Sequence, residues 1–305
     1  MAVITTGNFA KALWPGVNAW YGDSYAEHKV QYTGLVDSES SERAYEEDVG
    51  VSGFGLAVIK TQGGPIQYDT EQQGFTTRYT PTVFAKGFMV TREAFDDDLY
   101  GVVGKRKAKG LAFAMRQTKE IVVANVYNRH QTAGFTGGDG VVLSSTAHVN
   151  VAGGTWSNRS STNAALSEAA LEQAVIDVGD WNDDRGLKIA AQAQKLIIPT
   201  ELEFEANRIL KSQYRVGTAE NDINALNMLN KFPQGISINN YLTSSTAWFL
   251  RTNGAGSNGF KLFQRWDMKF DMDNDFDTFN AKFLAVERYS VGWTDPRCLY
   301  SSAGA

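Results

Sequence analysis

The chain has 305 residues, room for one large or two ordinary domains at roughly 150 residues each, and enough to bury a core without disulfide staples. Hydrophobic residues make up 43%, aromatics 12% and charged residues 21%, far from the composition of a disordered chain. Lys and Arg total 29 against 34 Asp and Glu; the net charge of −5 supplies no global basic field for nucleic acid or anionic lipid. Cys298 is the single cysteine, which excludes an intrachain disulfide and a multi-thiolate zinc site. Lys11 and the Trp14-Pro15-Gly16 break interrupt the stretch where a secretion leader needs apolar residues, and no run approaches the roughly eighteen apolar residues of a membrane span. Neither a leader nor a membrane segment is expected.

Residues 1–50 show no sustained period. From 36 to 50 the acids Asp37, Glu39, Glu42, Glu46, Glu47 and Asp48 face only Arg43, which reads as an extended arm. Residues 51–79 change to short apolar alternation, with Phe54, Leu56 and Val58 on one leg and Ile66 and Tyr68 on the other, around a Gly63-Gly64-Pro65 turn. That pattern predicts a long hairpin with too little surface to fold alone, so it must lie on something else, a neighbouring subunit being one candidate. A strand at 84–90 is followed by Asp96-Asp97-Asp98, acids suited to a helix N-terminus, and by a helix over 99–130. Ala108, Leu111, Ala112, Met115, Val122, Val123 and Val126 give that helix its apolar stripe, while Gly101, Gly104 and Gly110 make it dependent on packing. Residues 134–164, rich in Gly, Ser, Thr and Asn, read as a loop or irregular β excursion.

Ser167 is the expected N-cap of a second helix, with Leu171, Ala174, Val175, Val178 and Trp181 following. The run 195–199 ends at a proline and reads as a buried strand. Thr200 and Glu203 then match a capping box for a third helix carrying Leu202, Ala206, Ile209 and Leu210. Strands are expected at 236–242, 247–251, 260–272 and 278–291, with a glycine-rich tip at 254–259.

Little in the chain points to catalysis or cofactors. The acidic run 271–277 invites a calcium reading, but Phe276 stands where the loop needs glycine and Lys282 where it needs the bidentate glutamate. His28, His130 and His148 lack zinc-helix spacing. No nucleophile elbow, Walker loop or Rossmann fingerprint occurs, so no enzyme and no cofactor are expected. The strongest charge feature is Lys105, Arg106, Lys107 and Lys109, continued by Arg116 and Lys119. It fits a solvated helix face, a partner for the acidic 36–50 segment across a subunit boundary, or, against the chain's net charge, a contact with DNA.

The order of these pieces resembles a known family. The arm and long hairpin come first, then Val90-Thr91-Arg92-Glu93-Ala94-Phe95-Asp96-Asp97-Asp98-Leu99-Tyr100-Gly101 leading into a long helix. LKIAAQAQKLIIPTELEFEANRILKS follows at 187–212, with NNYL at 239–242, AWFLRT at 247–252, GFKLFQRWD at 259–267 and FLAVERYSVGWTDPR at 283–297. This is similar to the major capsid proteins of tailed phages with the Hong Kong 97-type fold, in particular the Mu-like major head subunits, over about residues 80–305. The resemblance implies an α+β chain divided into an N-terminal arm (1–50), an extended hairpin loop (51–83), a peripheral domain (84–165) with spine helix 99–130, an axial domain (166–258) and return strands (259–305). It also implies hexamers and pentamers closing an icosahedral shell around double-stranded DNA, assembled in the host cytoplasm. A scaffold, where one is used, is then a separate protein; a portal and decoration proteins are partners the resemblance leaves open. Lys60, Gly63, Gly64 and Pro65 at the hairpin turn, the six acids of 37–48, and Lys105, Arg106, Lys107 and Lys109 are the expected subunit-interface residues. An encapsulin-like compartment, which shares the fold and stores enzymes, is the near alternative; a two-domain hydrolase or carbohydrate binder is the alternative from another class.

Overall fold

The computed structural model describes residues 21–91, 93, 97, 102–214, 222–274 and 280–304. Strands β1 (Asp37–Ser40), β2 (Glu46–Ser52), β3 (Gln72–Tyr79) and β4 (Thr82–Val90) precede the long helix α1 (Val102–Asn128). Then come β5 (His148–Val149), β6 (Thr155–Trp156), α2 (Glu168–Gly179), β7 (Ala193–Ile198), α3 (Glu203–Lys211) and α4 (Ala225–Met228). β8 (Ile236–Ile238), β9 (Trp248–Thr252), β10 (Phe260–Asn274), β11 (Ala281–Trp293) and β12 (Leu299–Ser302) complete the order. One sheet runs β1-β10-β11-β4 and a second β12-β9-β7-β8; β2 and β3 form a separate hairpin, and β5 pairs with β6.

Helix α1 lies on the first sheet. Ala108, Leu111, Ala112, Met115, Val123, Ala124 and Tyr127 recur every three or four residues on its buried side. The sheet answers with stacked aromatic pairs, Phe84 on Tyr289 and Phe88 on Phe283, centroids 4.6 and 4.8 Å apart. The second sheet is buried on both faces. Leu196 and Ile198 of β7, Trp248 and Leu250 of β9 and Tyr300 of β12 pack against α2 and α3. The residues between them, Ile197, Phe249 and Leu299, point the other way into a core with Val123, Ala124 and Tyr127 of α1. The two halves of the protein therefore share one sheet as a common wall.

Local chemistry explains some element ends and not others. Ser167 caps α2, its hydroxyl accepting from the Ala170 N–H at 3.2 Å. The capping box at Thr200 does not form: residues Thr200–Leu202 make a 3₁₀ turn, and the Thr200 hydroxyl donates to Asn240 Oδ1 at 3.2 Å. Proline at 199 fixes the chain direction there, and a tight turn satisfies the first amides instead. The acidic 36–50 segment is not a free arm. Asp37–Ser40 adds as a parallel edge strand to β10, and Glu46–Ser52 is already the first leg of the hairpin. Upstream of it, Tyr21, Leu35 and Val36 are buried in the chain's own cores. Residues 1–20 of the expected arm lie outside the described residues, as do Asp96 and Asp98 before α1 and Asp275–Asp277 of the acidic run.

The three histidines sit apart. His28 packs on Phe113, His148 is buried with its Nδ1 2.6 Å from Asp139 Oδ2, and His130 contacts the Tyr127 carbonyl oxygen through Nδ1 at 2.7 Å. Among the described residues no group of three or more His, Cys, Asp or Glu is placed to hold a metal ion.

Two outcomes follow. Phe249→Ala, at the wall between the cores, should cost about 3–5 kcal/mol in urea unfolding, as large aromatic deletions do. Burial holds the His130 pKa below 6.5, so the unfolded chain takes up a proton first on acidification. Its contribution to stability is complete above about pH 6.5 and declines as pH falls toward the folded value; His130→Gln should flatten that slope in unfolding midpoints measured from pH 7 to 5.

Candidate assembly surface

The hairpin projects its apolar residues into solvent. Val51, Phe54, Leu56, Val58, Ile59, Ile66 and Tyr68 are 56–96% exposed, in sequence positions that elsewhere in this chain form core. A solvent-exposed apolar run of this length marks a surface that another molecule covers. Beyond Ser52 and before Gln72 the legs leave the ladder and run as extended chain to the turn, where Gly63 takes φ +80° and the Gly64 N–H donates to the Thr61 carbonyl at 3.0 Å. Lys60 and Pro65 are exposed beside it.

The base of the hairpin is fixed by a half-buried polar chain. Tyr79 donates to Thr294 Oγ1 at 2.7 Å, Thr294 donates to Asp48 Oδ2 at 2.9 Å, and the Lys261 ammonium meets the same Asp48 oxygen at 2.7 Å. Burial raises the Tyr79 pKa, the Thr294 hydrogen bond opposing it and the nearby Asp48 carboxylate adding to it, so the phenol stays a donor. Nearer the tip, the Asp69 carboxylate accepts from the backbone N–H groups of Gly55 and Thr70, each at 2.8 Å, joining the two legs. Those two bonds, with Arg185 adding to them, lower its pKa.

The acidic segment and the basic helix end are not brought together within the chain. Asp37 pairs with Arg251, Glu39 lies 3.9 Å and Asp48 2.7 Å from Lys261, Glu47 meets Arg78 at 2.6 Å, and Glu46 accepts from Ser41 at 2.8 Å and lies 3.9 Å from Arg43. Glu42 is exposed. Lys105, Arg106, Lys107 and Lys109 are exposed on the first turns of α1; Lys107 donates to the Met89 carbonyl at 3.4 Å and Lys109 lies 4.0 Å from Glu27.

Arg116 and Lys119 belong to a different environment from the basic run they continue in sequence. Both are buried. Lys119 Nζ lies 3.2 Å from Glu287 Oε2 and donates to Gln264 Oε1 at 2.9 Å. Tyr25 donates to Glu287 Oε1, and Arg116 stacks on the Tyr25 ring at 3.9 Å while donating to the Tyr25 carbonyl at 3.1 Å. One turn on, Glu120 accepts from the Gln31 N–H at 2.9 Å. This network straps residues 25–32 to α1 and β11. The sequence carried its signal: Lys119 falls in the same four-residue phase as Leu111, Met115 and Val123, the buried stripe of the helix.

This arrangement is a folded body with one exposed apolar limb. A sequence model described as phage capsid protein matches residues 73–302. The chain belongs to the phage capsid protein family. As a capsid protein it is a structural component of the virion shell, self-associating into that shell, and the hydrolase and carbohydrate-binding alternatives are set aside. The encapsulin-like alternative is no better supported.

Solved structures agree on the fold. A chain of Microbacterium phage Oxtober96 matches with a TM-score of 0.53 at 9% identity, covering 91% of this chain and 92% of that one. The capsid of a native GTA particle gives 0.53 at 15% identity with 91% and 92% covered, and Mycobacterium phage Che8 gives 0.53 at 12% identity with 91% and 93% covered. The α+β architecture is the Hong Kong 97-like capsid fold. No curated protein sequence matches significantly.

The buried pair gives a direct expectation. Lys119→Met should destabilise the capsid subunit by about 3–5 kcal/mol, because Glu287 is left charged and buried, while Lys119→Met with Glu287→Gln should recover much of the loss. A double-mutant cycle in chemical denaturation reads both.

Proposed function

We propose that this capsid protein builds an icosahedral head of hexamers and pentamers, and that the tip of each hairpin is covered by an adjoining subunit. The observation that carries this is the exposure of the tip: a limb anchored at its base by Tyr79, Thr294, Asp48 and Lys261 presents Leu56, Val58, Ile59 and Tyr68 to water. Head-to-tail contacts between such limbs and neighbouring bodies close into rings. Lys60, Gly63, Gly64 and Pro65 sit at the centre of this interface. The acids of 37–48 contribute less to attraction between subunits than their number suggests, since Asp37, Glu46, Glu47 and Asp48 are partnered in their own chain. The exposed Lys105, Arg106, Lys107 and Lys109 are the basic candidates for a neighbour's surface.

In this reading the arm of 1–50 passes into the hairpin at Glu46, the extended loop runs to 83, 84–165 and 259–305 are the peripheral domain and 166–258 the axial domain. The protein belongs with the Mu-like head subunits, acts without catalytic chemistry, and assembles in the host cytoplasm with a separate scaffold and a portal. It encloses double-stranded DNA; the net charge of −5 suits a wall that does not grip the phosphates it surrounds.

Replacing Leu56, Val58 and Ile59 together by serine should leave a folded, soluble subunit that forms no closed shells by light scattering and negative-stain imaging. Shells of parental size from that variant would overturn the assignment of the tip as the docking element.

A further inference from the structure

The hairpin consists of two mechanically different parts. Its base is seated. A Cβ on Gly138 would stand 2.8 Å from Thr77 Oγ1, 3.1 Å from the Thr76 carbonyl and 3.3 Å from Phe75 Cβ, so the 137–138 backbone presses directly on β3 up to Phe75. A Cβ on Gly292 would likewise stand 3.0 Å from the Tyr79 ring. Immediately beyond this seat the ladder slips: Val49 pairs with Thr76 but Val51 with Gln73, a bulge that places Gly50 opposite Gly74 and Phe75. Gly74 approaches the Gly50 backbone so closely that a Cβ there would be 2.9 Å from its carbonyl oxygen. Gly50, Val51, Gly74 and Phe75 also line a cavity of about 120 Å³ that continues down to Asp184, Asp295 and Arg297, so the bulge rests over open space.

Past the bulge, the body of the chain reaches the limb through Arg185, in the loop after α2. Its guanidinium lies 3.3 and 3.4 Å from the two Asp69 oxygens and donates to the Thr70 carbonyl. Asp69 is the residue that joins the legs through Gly55 and Thr70, so the contact grips both legs at once. Arg185 also lines the groove of about 890 Å³ between the splayed legs, beside Phe54, Leu56 and Tyr68. Water reaches the pair from the Asp69 side, and a solvated pair is weak, which fits a contact that has to release.

We propose that the outer hairpin is hinged at the Gly50–Gly74 bulge and latched by Arg185 to its own chain, which holds the limb at one angle until a neighbouring subunit displaces the latch. This rests on the hairpin being the docking element, and it adds how that element is poised before docking. Without the latch the limb samples many angles, and each docking event must first select one.

The test uses the unassembled full-length subunit carrying nitroxide labels at Lys60→Cys, on the tip, and Gln173→Cys, exposed on α2. Cys298 is buried and stays unlabelled. The parent should show one narrow distance distribution by pulsed electron resonance. Arg185→Ala should broaden it at least about twofold without moving the thermal midpoint, because only the limb is released. Asp69→Asn, which keeps one oxygen for the Gly55 N–H of the opposite leg, gives up the acceptor for its neighbour Thr70 and loses the charge facing Arg185, should broaden it as well and serves if Arg185→Ala folds poorly. Adding Gly50→Ala, whose Cβ would lie an ordinary 3.6 Å from the Phe75 carbonyl, stiffens the bulge and should narrow the distribution again. Unchanged width in Arg185→Ala and Asp69→Asn would overturn the latch. That result stands apart from the docking reading, which fails only if the serine-substituted tip still closes shells.

Discussion

The subunit depends on a single four-stranded sheet that serves two cores at once. In β7 the consecutive residues Leu196, Ile197 and Ile198 alternate between the α2/α3 side and the α1 side, and β9 and β12 repeat the alternation through Trp248, Phe249, Leu250 and then Leu299, Tyr300. A strand with both faces buried cannot slip by one residue without exchanging every side chain between cores of different shape. The halves of the protein are thus held in one relation by the pleat itself. A shell subunit needs that rigidity, because errors in its shape are repeated in every copy.

The strap formed by residues 25–32 works by a different force. Lys119 and Glu287 are both removed from water, and their attraction offsets the loss of hydration only because Gln264, Tyr25 and the neighbouring rings supply the remaining contacts. The network specifies where the amino-terminal segment lies more than it adds net stability. An apolar contact would tolerate sliding along α1; a charge paired through one oxygen, with its carboxylate's other oxygen held by a phenol, tolerates little.

Much of this was legible in the sequence, and the gaps have physical reasons. Helix α2 announced itself through Ser167 and the Leu171–Ala174–Val178 stripe, and β7 through a short apolar run closed by proline, because in both cases local signals and burial agree. β1 could not be read: Asp-Ser-Glu-Ser has no apolar alternation, and it becomes a strand only because the β10 edge offers backbone partners from residues more than two hundred positions away. The hairpin was read as a hairpin from its alternation and its Gly-Gly-Pro turn, but its first leg was hidden among the acids from Glu46 on, where charge concealed the pairing with β3. Arg116 and Lys119 looked like surface charge by composition and were interior by phase; the phase was the better guide. Arg185 and Asp69 carried no signal at all, since a contact between two loops more than a hundred residues apart leaves no pattern in either.

The contrast between body and limb decides how the molecule is used. Inside the body, residues such as Phe249, Trp248 and Tyr289 are buried, each against named partners. On the limb, residues of the same kind face water, with the Asp69 staple and its Arg185 contact beside them. Covering that surface is favourable by roughly 25 cal/mol for every Å² removed from water, a gain that one chain cannot collect by folding, because its own cores are already filled. The tip carries Lys60 as its single basic residue between Gly53 and Thr70, so little charge must be stripped of water when it is covered. With the tip as the proposed docking element, the driving force for association resides in a limb that buries little within its own chain, and a subunit can be folded and still incomplete until its copies surround it.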